Sequence, residues 1–133
     1  HIEAQCKRLR ILGFTGTPII RGNLNAMDKS LLPSLQTVCT EILNNIAKHG
    51  KPGAFAFILS VGPDAVRIFA SNLYNAAINS APENHYGTAL IQDFAQQHNG
   101  TMTINSENEE WSLSLTIPLA HQVKLMFSPT EKL

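Results

Sequence analysis

Apolar residues recur three and four positions apart along residues 31–49: Leu31, Leu32, Leu35, Val38, Cys39, Ile42, Leu43 and Ile46. That spacing predicts a long amphipathic helix with one buried face. Ser30 stands where an N-cap belongs, and Gly50-Lys51-Pro52-Gly53 reads as the stop. Lys48 and His49 in the last turn suit the negative end of the helix dipole. A shorter stripe of Ile2, Cys6 and Leu9 predicts a helix over 2–12, ended by Gly13. A third helix is expected over 87–98, with Leu90, Ile91 and Phe94 on one face and Asn99-Gly100 after it.

Other stretches follow the period of two that marks strands. Residues 16–21 read as a short edge strand, where Pro18 is tolerated because an edge needs fewer ladder bonds. A polar connection over 22–29 follows. Residues 54–61 and 65–71 flank Gly62-Pro63-Asp64, which predicts an antiparallel hairpin. Phe55 and Phe57 fall on one side of their strand, and Phe69 is expected in the core as well. Residues 101–106 and 111–117 alternate and form a closing pair, with Thr116-Ile117-Pro118 ending the last strand. Residues 72–86 show no period and read as a loop or lid, and 120–133 as a tail. Hairpins with helices gathered on one face predict an α+β two-layer sandwich.

Composition narrows the class. A chain of 133 residues is read as one domain, 1–133, able to bury a core without staples. Ten basic residues balance ten acidic ones, which argues against nucleic acid as a partner but not against a local anion site built from backbone N–H groups. Cys6 and Cys39 lack metal or disulfide spacing and are expected to be buried free thiols in a reducing cytosol. No apolar run is long enough to suggest a membrane span, and the start does not resemble a signal peptide. His1 in place of an initiator methionine reads as the mark of a fragment.

The long helix also carries a polar row. Glu41, Asn45 and Lys48 share a face, with His49 one step around it, and the row is expected opposite the apolar stripe. A carboxylate, an amide and a cation suit a hydrated metal–phosphate group, and they equally suit a solvated helix face. Glu41 and Lys48 lie too far apart for the usual i, i+4 ion pair. His49 has no second histidine or cysteine one turn away, as a zinc site would need. His85-Tyr86 could stack on a base or belong to a loop. Ser60, Ser71, Ser80 and Ser106 lack the G-x-S-x-G setting of a hydrolase nucleophile.

The run Thr40-Glu41-Ile42-Leu43-Asn44-Asn45-Ile46-Ala47-Lys48-His49-Gly50 closely resembles the N-box of histidine kinases, E-x-x-x-N-x-x-K-H. Ile91 to Gly100 followed by Thr101 to Ser106, and Trp111 to Leu119, resemble later passages of the same family, and the lead-in from Leu9 to Ile42 resembles its opening, so the likeness covers about 9–119. The resemblance implies the GHKL (Bergerat) fold, a mixed, mostly antiparallel sheet covered on one face by helices. It also implies ATP and Mg²⁺ as cofactors. By position, Glu41 takes the catalytic role, Asn45 binds the metal, and Lys48 and His49 lie near the phosphates. The family's adenine-binding motif, D-x-G-x-G, falls on Asn72, Tyr74 and Ala76, so a ring replaces the first glycine and is expected to intrude on the adenine space. The later glycine motif is represented by Gly87, Thr88, Ala89 and Leu90, with one glycine kept.

The resemblance thus implies the catalytic domain of a bacterial sensor kinase in two-component signalling. Its partners would be a histidine-bearing dimerisation domain of the parent and a response regulator. The domain itself would be cytoplasmic and not membrane-embedded, within a membrane-anchored parent. An alternative is a degenerate module of this fold that no longer binds ATP productively and serves protein contacts. A third reading is an anti-sigma-factor serine kinase.

Overall fold

The computed structural model describes residues 2–74 and 88–119. The elements are α1 (Ile2–Ile11), β1 (Ile19–Gly22), a 3₁₀ turn (Leu24–Ala26), α2 (Leu32–His49), β2 (Gly50–Val61), β3 (Ala65–Tyr74), α3 (Thr88–Gln97), β4 (Thr101–Glu107) and β5 (Glu110–Pro118). The five strands form one sheet in the order β1-β2-β3-β5-β4. All neighbours are antiparallel except β1 and β2. The parallel pair is possible because α2 lies between them in sequence and supplies the crossover that parallel strands require. The expected α+β sandwich, with a mixed, mostly antiparallel sheet and helices on one side, is what the chain forms.

The core lies between the helices and one face of the sheet. Strand alternation sends Phe55, Phe57, Leu59 and Val61 of β2 inward, with Val66, Ile68, Ala70, Asn72 and Tyr74 of β3 and Trp111, Leu113, Leu115 and Ile117 of β5. Register aligns them in rows: Phe57 opposes Ala70, which opposes Leu113, which opposes Ile104. The α2 stripe meets this face through Leu35, Val38, Cys39, Ile42, Leu43 and Ile46, all buried. Cys6 and Leu9 of α1 and Ile91, Phe94 and Ala95 of α3 join the core, as do Phe14, Met27, Leu31 and Leu119. Two side chains depart from expectation. Phe69 is 39% exposed, since its parity along β3 is that of Arg67 and Ser71 on the outer face, and Leu90 is 42% exposed at the start of α3.

Several boundaries also differ. The chain at 15–18 follows β2 only through the Thr15–Ala54 bridge, and regular pairing begins at Ile19, just past Pro18, which has no N–H to give. Ser30 does not cap α2. Its N–H instead donates to Asp28 Oδ1 at 3.0 Å, and Pro33 in the first turn pre-sets the helical φ without a cap bond. Gly50 to Gly53 does end the helix, but it also opens β2, with a register shift between Gly50 and Phe55. β3 runs on to Tyr74, so 72–74 are strand and not loop. The remainder of the expected lid, the tail 120–133, and Ala76, Ser80, His85, Tyr86 and Gly87 lie outside the described residues.

Both cysteines are free and buried. Burial pushes the Cys39 thiol from 9.0 up to about 12. Between those values the unfolded thiol loses its proton while the folded one keeps it, so the unfolded state binds fewer protons. Stability contributed by Cys39 is therefore present below about pH 9 and falls as pH rises above it. Denaturation midpoints measured from pH 8 to pH 11 should fall less steeply in Cys39→Ala than in the unsubstituted protein.

Candidate functional site

Asn45 and Asn72 are the two buried polar side chains among the described residues, at 4% and 5% exposure. Burying an amide is unfavourable unless it is bonded, so two at one place mark a site or a structural network. They line the same cavity, with His49, Gly50, Tyr74 and Trp111. The elements explain the convergence. α2 ends at His49 and Gly50 begins β2 directly, which brings the last turn of the helix down onto the sheet. Gly50 pairs with Tyr74, while Asn72 sits between Phe55 and Trp111 in adjoining strands.

Gly50 is required by this approach. A Cβ there would collide with Asn72 Nδ2, come within 2.5 Å of the Ile46 carbonyl oxygen and within 3.0 Å of the Phe14 ring. The Asn72 amide is oriented by a bond in which Nδ2 donates to the Leu73 carbonyl at 2.8 Å. A carbonyl oxygen accepts only from a donor, so the amide's sense is fixed and its Oδ1 lies on the other side.

The polar row on α2 is therefore divided. Asn45 is not on a face opposite the apolar stripe; it sits on the flank of α2 that turns toward β3 and β5. His49 accompanies it and is half-buried, while Lys48 is exposed. Glu41, half-buried, faces a separate groove with Pro33, Gln36, Thr37 and Thr40. Asn44, the neighbour of Asn45, accepts a 3.0 Å bond from Arg8 Nη1 and ties α1 to α2. α3 starts at Thr88, which places Thr88, Ala89 and Leu90 in its first turn, at the positive end of the helix dipole. Leu90 lines an open groove of about 460 Å³ between α2 and α3, with Ser34, Thr37, Val38, Asp93, Phe94 and Gln97.

Trp111 is a site residue that motif reading missed, since it occurs in none of the matched boxes as a ligand. Its signal was strand parity: Trp111, Leu113, Leu115 and Ile117 share a face, and Trp111 is the end nearest Asn72.

Fit to a nucleotide is uneven. Asn45 supplies an amide oxygen, a ligand type that hard divalent cations accept. Among the described residues no group of three His, Cys, Asp or Glu side chains could hold a metal by itself. A nucleotide base would not fit beside Asn72 in this arrangement, because the cavity there has no room for a water-sized sphere. Tyr74, 7% exposed, and Trp111, 2% exposed, line that cavity.

No protein-family model matches the sequence, and no curated protein matches it. Solved structures do match the fold. The catalytic domain of the histidine kinase ThkA, in a nucleotide-free form, is similar with a TM-score of 0.63 at 11% identity, over 87% of this chain and 87% of that one. A histidine kinase of Acinetobacter baumannii, AdeS, is similar with a TM-score of 0.66 at 11% identity, over 89% of this chain and 60% of that one. The blue-light activated histidine kinase of Erythrobacter litoralis EL346 gives 0.63 at 11% identity, over 91% of this chain and 41% of that one. The chain thus has the fold of histidine kinase catalytic domains and spans less than half of the longest of these proteins.

Proposed function

We propose that this chain is the nucleotide-binding domain of a sensor histidine kinase. In that reading it serves phosphoryl transfer from Mg-ATP to a histidine on a separate dimerisation domain, with a response regulator downstream. The observation that carries the reading is that Asn45 and Asn72, two buried amides, line one cavity where α2 runs into the sheet. A core with no ligand to serve would be as well filled by apolar side chains at both positions. The fold shared with histidine kinase catalytic domains supports the same reading. Within it, Asn45 is the metal-side ligand and Asn72 the base-side acceptor, while Lys48, His49 and the amides of Thr88, Ala89 and Leu90 belong to the phosphate side. Glu41 is the acidic residue beside the transferred group. The unit extends over about 9–119.

A second reading is favoured by one observation. The filled cavity between Tyr74 and Trp111 suits a module that keeps the fold for protein contacts and binds no nucleotide.

Calorimetric titration with ATP, with and without Mg²⁺, separates the two. Mg²⁺-dependent binding, weakened about tenfold or more by Asn45→Ala, is the expected result, because a charge-bearing ligand loses a partner worth about 1.5–3 kcal/mol. Asn72→Ala should weaken binding with or without the metal. Absence of binding at millimolar ATP would reject the nucleotide reading in favour of the contact module.

A further inference from the structure

We propose that Tyr74 is a built-in occupant of the base pocket, so that a nucleotide enters only when the Tyr74 side chain swings out. The proposal rests on the nucleotide reading above and adds a gate to it.

The backbone at Tyr74 is held on both sides. Its N–H donates to the Glu109 carbonyl at 2.9 Å, in the turn between β4 and β5, and the residue pairs with Gly50 at the start of β2. What can move is the side chain. Tyr74 shares the inner face of β3 with Asn72, and its ring lies with Trp111, Asn45, His49 and Gly50 around a space that admits nothing of water size. A base seated beside Asn72 and Trp111 would need a space one ring thick, and the space that Tyr74 lines with them admits no water-sized sphere. The phenol is planar and aromatic, as a heteroaromatic base is, and it lines the same space as Trp111.

A pocket occupied by its own side chain binds with an affinity reduced by the fraction of molecules in the open state. Removing the ring removes that penalty, so Tyr74→Ala should bind Mg-ATP about ten to a hundred times more tightly than the unsubstituted protein. Tyr74→Phe keeps the ring and should bind like the unsubstituted protein. Titrations of the whole chain can be followed by Trp111 fluorescence, since Trp111 is the sole tryptophan and lines the pocket.

Tighter binding by Tyr74→Ala alone supports the gate. Equal or weaker binding by Tyr74→Ala, with the unsubstituted protein binding, overturns the gate and leaves the nucleotide reading standing. Failure of both to bind overturns the nucleotide reading and the gate with it. Because Tyr74→Ala could fold poorly, hydroxyl-radical footprinting of the unsubstituted protein gives a second test. Saturating Mg-ATP should raise oxidation of Tyr74, whereas unchanged or reduced oxidation overturns the proposal.

Discussion

Trp111→Ala is expected to lower stability by about 3–5 kcal/mol, the range for removing a large aromatic side chain from a packed interior. The indole is 2% exposed and bridges two environments. Along β5 it opens the inner row that continues through Leu113, Leu115 and Ile117, and across the sheet it opposes Asn72 and Ser106. Its loss removes dispersion contacts on every side and leaves a void beside Asn45 and Asn72, whose amides then face an enlarged space. Strands pinned by hydrogen bonds cannot collapse far enough to close it. Because domains have only about 5–15 kcal/mol of stability in total, this variant should sit near the margin. Urea denaturation followed by circular dichroism measures it directly, since the variant has no tryptophan left. A loss below about 1 kcal/mol would mean that the indole is not part of the packed interior.

Gly50→Ala should cost about 1–3 kcal/mol, the range for overpacking. Alanine is ordinarily better than glycine in an extended backbone, because it lowers the entropy of the unfolded chain. Here the added methyl meets the Ile46 carbonyl oxygen, the Phe14 ring and the Asn72 amide at once. The first is helix backbone and cannot rotate away. The third can yield only by giving up its bond to the Leu73 carbonyl. The substitution thus affects the site as well as the fold, and Gly50→Val should be worse than Gly50→Ala. Thermal unfolding of the two variants checks the order; a stabilised Gly50→Ala would show that α2 and β3 are not this close.

Much of the architecture was legible in sequence because the relevant signals were local. The stripe from Leu31 to Ile46 fixed α2 and its buried face, and Gly62-Pro63-Asp64 fixed the β2–β3 turn. The N-box spelled out Asn45. What escaped notice depended on tertiary contact. Asn72 and Tyr74 do not look like inward strand residues in sequence, so the apolar pattern of β3 ends at Ser71; they are inward because the end of α2 covers them. Helical spacing alone puts Asn45 on a wet face, because a helical wheel records angle but not which flank a sheet will cover. Phe69 was the reverse case: hydrophobicity suggested the core, and the parity of Val66, Ile68 and Ala70 placed it outside. Glu41 and Asn45, one turn apart on α2, line different grooves, Asn45 with Asn72 and Trp111, Glu41 with Pro33 and Thr37.

The cavity takes its walls from three places far apart along the chain: the last turn of α2, the end of β3 and the start of β5. Contacts of such wide sequence separation form only after long loops close, an entropic cost met late in folding. A partly folded chain with α1, α2 and the β2–β3 hairpin in place would carry both amides and still have no pocket. The pocket is therefore complete only in a chain in which β5 has docked on β3, because Trp111 is the wall that β5 brings.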